Sequence, residues 1–250
     1  MLKRKRDHSK IIRRLIASVN GAGHISTLGE VSTSKGNYPI QKIVLGEGKP
    51  RRALISAGIH GDEPAGVETV CAFLESGKYR PFLDTWELTI LPCINPYGFE
   101  HDTRENHEER DLNRLFKEKT PPLEVALAQS VVTSSSYDLT LELHEDCESS
   151  GYYLYEKARP PRGAGLGFRI IDAVKDLMPI NMDAEIEGTP SDGGVIHRLK
   201  DPEEMEWWPM ALYALANGST HCLTLETATH FPMQTRIDAH MTALETALNG

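Results

Sequence analysis

The chain is 250 residues long, with a formal net charge of -9, 40% hydrophobic residues and 25% charged residues. That length fits one large domain with a sizeable core, and the acidic balance argues against a nucleic-acid partner or an anionic membrane surface. No apolar run approaches the roughly 18 residues of a membrane helix. The four cysteines, Cys71, Cys93, Cys147 and Cys222, form no C-x-x-C pair. With no export signal, the expectation is a cytoplasmic protein with reduced, buried thiols.

The N-terminal stretch Met1 to Arg14 is basic and runs into Leu15-Ile16-Ala17-Ser18-Val19. Arg13 and Arg14 interrupt the apolar segment, so it is not read as a signal peptide. Ile11, Ile12, Leu15, Ile16 and Val19 fall on one helical face. Residues 1–20 are therefore expected to form a basic amphipathic helix packed on a single domain spanning 1–250; a nucleic-acid or membrane-surface arm would rest on charge alone.

Strand-like and helix-like stretches then alternate, which points to an α/β fold. Ile40 to Leu45 reads as a first strand, and Gly46-Glu47-Gly48 as a turn. Ala53 to Ile59 is a buried strand ending at His60, and Pro64 opens a helix to about Leu74. Trp86 to Ile94 is the next strand, closed by an Asn95-Pro96-Tyr97-Gly98 turn. A long polar loop covers Phe99 to Pro122. Leu123 to Val132 reads as a helix and Asp138 to Leu143 as an alternating strand ending at His144. Tyr152 to Tyr155 reads as a strand, Leu166 to Leu177 and Met205 to Ala216 as helices, Cys222 to Thr227 as a strand, and Gln234 to Leu248 as the last helix.

Polar residues gather at the ends of these strands: His60 and Glu63, Asn95, His144, and Glu226. In open α/β sheets ligands bind outside the carboxyl ends of the strands, so a largely parallel sheet would bring these residues together. His60 and Glu63, three apart across a strand-to-helix turn, can bind one metal ion, and His144 is the natural third ligand. Two histidines and a glutamate form a catalytic zinc set with an open position for water. Arg104-Glu105-Asn106 and Asp111-Leu112-Asn113-Arg114 offer arginine forks and amide donors suited to a carboxylate. Glu226, at the end of an apolar strand, has the setting of a general base whose pKa burial raises.

These motifs together resemble the zinc carboxypeptidase superfamily. The resemblance is carried by Ala57-Gly58-Ile59-His60-Gly61-Asp62-Glu63, Asn95-Pro96-x-Gly98, Arg104-x-Asn106-x4-Asp111-Leu112-Asn113-Arg114, Leu141-Glu142-Leu143-His144 and Thr224-Leu225-Glu226. It covers about Ile40 to Glu226. It implies a single α/β domain with a central mixed, largely parallel sheet flanked by helices. By the same resemblance His60, Glu63 and His144 would bind Zn2+, Arg104 would polarise the scissile carbonyl, Asn113 and Arg114 would hold the substrate carboxylate, and Glu226 would be the general base and acid.

The resemblance leaves some positions open. Arg110 could compete for the anion role, and no tyrosine stands out as a cap over the substrate, Tyr213 falling in a predicted helix. The Gly-rich loop Thr189 to Gly194 is either a pocket wall or a turn. His101, His107, His197, His221 and His230 lack a carboxylate at comparable spacing and read as surface or supporting residues. The expected activity is amide hydrolysis of a peptide or acyl amino acid with a free carboxylate. The succinylglutamate desuccinylase and aspartoacylase branch shares the metal motif and Asp-Leu-Asn-Arg. Its members usually carry an extra C-terminal β domain, whereas only 24 residues follow Glu226 here, and the His-Gly-Asp-Glu and Arg-x-Asn spacings favour the peptidase branch. A non-catalytic binding protein on the same fold is the remaining alternative.

Overall fold

A computed structural model describes residues 6–19, 21–159, 165–197 and 205–250. An eight-stranded sheet forms the centre, in the order β1-β2-β4-β3-β5-β10-β6-β9. Its strands are β1 (Gly23–Thr33), β2 (Gly36–Leu45), β3 (Arg51–Ala57), β4 (Trp86–Leu91), β5 (Leu139–Asp146), β6 (Tyr153–Ala158), β9 (Val195–His197) and β10 (His221–Ala228). A two-stranded hairpin, β7 (Glu185–Ile186) and β8 (Thr189–Pro190), stands apart. The pairs β3–β4, β3–β5, β5–β10 and β6–β9 are parallel, while β1–β2, β2–β4 and β10–β6 are antiparallel. The expected mixed, largely parallel sheet is therefore present, with its antiparallel pairs towards the flanks.

Side-chain alternation sorts the sheet into two cores. Ile55, Leu141, Leu143, Leu223 and Leu225 pack in one large cluster with α1 (His8–Val19), α2 (Pro64–Glu75), α5 (Leu166–Val174) and α7 (Met233–Leu248). Leu54 and Cys222 face the opposite side, against α4 (Leu123–Thr133) and α6 (Met210–Ala216). Because strand side chains alternate, Thr140, Glu142 and His144 of β5, and Thr224 and Glu226 of β10, also point to this second side. The apolar positions of these strands thus choose the face on which the polar ones must meet.

Several local expectations change. The sheet starts earlier than predicted, since β1 precedes the expected first strand; its residues are mostly exposed or half-buried, so it lacks a strong apolar signal. Asn95 to Gly98 is the start of a helix, α3 (Pro96–His101), with the Asn95 side chain accepting from the Gly98 N–H at 2.9 Å. The polar loop also holds a short 3-10 turn, Leu112–Arg114. Both deviations come from local side-chain capping, which competes with a plain turn. The helix predicted from Met205 begins only at Met210, after Pro209. His144 and Glu226 lie within their strands, with β5 continuing to Asp146 and β10 to Ala228. Cys71, Cys93 and Cys222 are buried as expected, whereas Cys147 is exposed just beyond β5.

The N-terminal helix is packed on the domain through His8, Ile11, Leu15 and Val19. Residues 1–5 of the expected basic segment lie outside the described residues. Ile16, expected on the buried face, is 53% exposed because the contact stripe on α1 is narrower than the apolar arc. No helix of the described residues is long and apolar enough to cross a membrane. Leu15→Ala should lower unfolding free energy by about 3 kcal/mol, whereas Ile16→Ala should change it by less than about 0.5 kcal/mol; urea denaturation of both variants checks the contrast. Equal losses would mean that α1 does not pack as described.

Candidate metal centre

The strand β3 ends at Ala57, and the next six residues turn into α2, whose first residue is Pro64. This turn carries His60 and Glu63. Gly61 is essential to it, because a Cβ there would lie 1.9 Å from the Gly98 carbonyl carbon of α3. A second tie fixes the turn against β5. Glu145 accepts from the Ala65 N–H at 2.6 Å, at the start of α2, and its other oxygen pairs with half-buried Arg236 of α7. The backbone on both sides of the cluster is thereby held by an ion pair and a backbone hydrogen bond.

His60 and His144 are brought to either side of Glu63. The Glu63 carboxylate lies 2.6 Å from His60 Nδ1 through Oε1 and 2.9 Å from His144 Nδ1 through Oε2. Oε2 also accepts from the Glu145 N–H at 3.2 Å. All three side chains are buried, and their ligand atoms lie within 4.8 Å of one another, the one such set found among the described residues. Burial alone would raise the Glu63 pKa, but the two imidazoles outweigh it and hold this carboxyl well below the usual carboxylate range. Burial opposes charge on His144, yet Glu63 and Glu142 together push its pKa well up.

The far nitrogens define the roles of the near ones. His60 Nε2 lies 3.1 Å from Asp111 Oδ1, so its Nδ1 is the nitrogen that faces the centre. Asp111 in turn takes the Arg104 Nε–H at 3.1 Å and the Asn113 N–H at 3.0 Å. Its carboxyl is held low: burial works against the charge, but His60, Arg104 and Arg114 favour it. Asp111 belongs to the Asp-Leu-Asn-Arg motif, and the signal for its place is a carboxylate two and three residues before Asn113 and Arg114. Behind the centre, His240 of α7 lies 3.0 Å from the His144 carbonyl through Nε2. Its pKa falls to about 3, chiefly through burial, so it is neutral and donates to that carbonyl. The donor set and the carboxylate behind His60 fit a divalent cation bound by His60, Glu63 and His144.

Glu226 completes the cluster. It pairs in register with His144 on β5 and Tyr153 on β6, so the three side chains share one face. Its side chain is 8% exposed and makes no hydrogen bond or ion pair within the described residues, but it lines the cleft that also exposes the metal trio. Burial raises its pKa well above the usual carboxylate range; His144 opposes, while Glu63, Asp146 and Glu187 push the same way.

The cleft encloses about 890 Å³. Arg104 sits at its edge, its Nη1 3.4 Å from Glu63. Arg114 lines the wall with its guanidinium 4.2 Å from the Trp207 ring centroid, and has no carboxylate within 4 Å among the described residues. Arg110 is directed away: it pairs with Glu118 at 2.6 Å and does not line the cleft. Asn113 is more committed than its sequence suggests, since its Oδ1 accepts from the Met210 N–H at 2.9 Å and only its Nδ2 faces the centre. Tyr213 packs on Phe116 and does not line the cleft; the phenols that do are Tyr153 and Tyr155. Thr189 and Pro190 of the Gly-rich loop also line it. Among the remaining histidines, His221 and His197 lie 2.8 Å and 3.7 Å from buried Glu156, and His107 lies 3.7 Å from Glu124. They do have carboxylate neighbours, which sequence spacing could not reveal because those neighbours are distant along the chain.

The family model that matches most of the chain, together with the sheet, places the protein in the zinc carboxypeptidase-like superfamily. Within it, the chain belongs to the succinylglutamate desuccinylase/aspartoacylase catalytic domain family, whose model matches residues 49–248. No curated protein sequence matches the chain. Among solved structures, a candidate metallopeptidase from Shewanella denitrificans OS217 is 25% identical with a TM-score of 0.82, over 96% of this chain and 89% of that one. A metallo-carboxypeptidase from Burkholderia cenocepacia, at 17% identity and a TM-score of 0.71, matches over 98% of this chain and 69% of that one. Bovine thrombin-activatable fibrinolysis inhibitor shares the fold at 13% identity and a TM-score of 0.67, over 98% of this chain and 96% of that one.

The close approach of the two backbones gives a direct check. Gly61→Ala should destabilise the protein by about 3 kcal/mol or more, because the contact is with backbone and cannot be relieved by a rotamer change. Urea unfolding of the variant checks this, and wild-type stability would mean that the turn does not rest on α3 as described.

Proposed function

We propose that this chain is a zinc-dependent amide hydrolase acting on substrates with a free carboxylate, with carboxypeptidase-like cleavage as the first reading. The observation that carries the proposal is Glu226: a buried carboxylate without a polar partner among the described residues, facing the same cleft as three convergent metal ligands. His60, Glu63 and His144 would hold the ion, which when bound would acidify a water and polarise an amide carbonyl.

The chain's own residues supply the rest. Glu226 accepts the proton of the attacking water, and burial raises its pKa, the direction that strengthens a carboxylate as a base. It then gives the proton to the departing amine. Arg104 offers guanidinium N–H groups to the developing oxyanion at the edge of the cleft. Arg114, stacked on Trp207 and free of a carboxylate partner among the described residues, binds the substrate's carboxylate as a fork, with Asn113 Nδ2 beside it.

A second reading, deacylation of an N-acyl amino acid, is favoured by the family match. The His-Gly-Asp-Glu and Arg-x-Asn spacings support the peptidase reading. The two are separated by one panel: peptides with free C-termini beside N-acetyl and N-succinyl amino acids, each with and without chelator. In whichever class turns over, Glu226→Gln should retain bound zinc and the folded circular-dichroism spectrum while kcat falls by about 10²–10⁴. Near-normal turnover by that variant would remove Glu226 from the mechanism. No hydrolysis anywhere in the panel by zinc-loaded wild type would favour the binding-protein alternative.

A further inference from the structure

One buried charge at this centre has no part in the chemistry just described. Glu142 lies on β5 two residues before His144, on the same face of the strand. Its side chain is 3% exposed, and Oε2 lies 3.8 Å from His144 Nε2. Oε1 is fully buried with no hydrogen-bond partner among the described residues. Its register neighbours, Ser56 on β3 and Thr224 on β10, are neutral, and no lysine or arginine pairs with it among the described residues. A carboxylate so placed is costly to bury unless something nearby uses its charge.

The two imidazoles show what that use is. Each turns Nδ1 to Glu63 and Nε2 away from it. Behind His60 the Nε2 meets Asp111 at 3.1 Å. Behind His144 the neighbours of Nε2 are Asn113 Nδ2 at 3.5 Å and Glu142 Oε2 at 3.8 Å. Asn113 Oδ1 is taken by the Met210 N–H, so the end of the amide that faces His144 is a donor. A donor cannot receive the Nε2 proton, and the carboxylate oxygen near that nitrogen is Glu142 Oε2, at 3.8 Å an ion-pair contact that is longer than a hydrogen bond.

We infer that Glu142 is a positioning residue that receives the His144 Nε2–H and so keeps the Nδ1 lone pair turned to the metal. The centre then has a carboxylate behind each imidazole, Asp111 for His60 and Glu142 for His144. Such partners fix the ring's tautomer and orientation and strengthen it as a ligand. This rests on the metal-centre reading above, but it needs neither a substrate nor a reaction.

The test is zinc affinity, measured by competition with a chromophoric chelator, for wild type, Glu142→Gln and Glu142→Leu. The Gln variant keeps the shape and an acceptor oxygen but loses the charge, and should bind zinc about 10-fold more weakly. The Leu variant removes the acceptor and should lose about 100-fold. The melting temperature of the metal-free proteins separates this from a structural role, which would lower that temperature and leave zinc affinity unchanged. If the Leu variant does not fold, the near-isosteric Gln variant carries the test. Folded variants that bind zinc within about threefold of wild type overturn the inference while leaving the metal centre intact. A wild-type protein that takes up no zinc overturns the metal centre and this inference together.

Discussion

The arrangement depends on how the Glu63 charge is buried. A carboxylate in a protein interior must be matched by donors or counter-charges. Glu63 is matched by two imidazole nitrogens, the Glu145 N–H and the Arg104 guanidinium. These partners come from the β3–α2 turn, from β5 and from the loop after α3. Satisfying one side chain therefore fixes three parts of the chain relative to one another. The nitrogen and oxygen atoms that satisfy each other in this way are also the ones that would turn to a cation.

That constraint is reinforced from behind. Glu145 joins the start of α2 to α7 through Arg236, and His240 of α7 donates to the His144 carbonyl. Gly61 lets the ligand-bearing turn lie against the backbone of α3, and the Asn95 side chain caps that helix. The ligand set is thus placed by regular elements and buried contacts, a basis for precise preorganisation. Further from the ion site the cleft changes character. Its lining includes Arg104 and Arg114 as well as acidic Asp146 and Glu187, so a bound substrate would meet both signs of charge.

Family membership and fold likeness bear on different levels of function. The match over residues 49–248 places the chain in the family named for acyl-amino-acid hydrolases, the branch that motif spacing ranked second. The solved structures with a similar fold include metallo-carboxypeptidases at low identity. In this chain the trio and the Asp-Leu-Asn-Arg segment are joined by the contact of His60 with Asp111. The wall of the cleft is built here largely from β6, the β7–β8 hairpin and the segment around Trp207.

The sequence alone determined the α/β class and singled out the polar positions that the fold brings together. His60, Glu63, His144 and Glu226 stand at the ends of apolar runs, and such runs report burial directly. It did not determine β1, which is too exposed to show a pattern, or the start of α3, where one asparagine side chain converts an apparent turn into a helix. It could name Arg110 and Arg114 as rival anion binders but not choose between them, because the choice depends on Glu118 capturing Arg110. Only the tertiary structure decided that Asp111 and Glu142 stand behind the two imidazoles, that Asn113 is half spent on Met210, and that Tyr153 lies beside Glu226. The physical reason is that local patterns encode which side chains are buried. Which buried groups face each other is set by sheet order and register, through contacts between residues far apart in the chain.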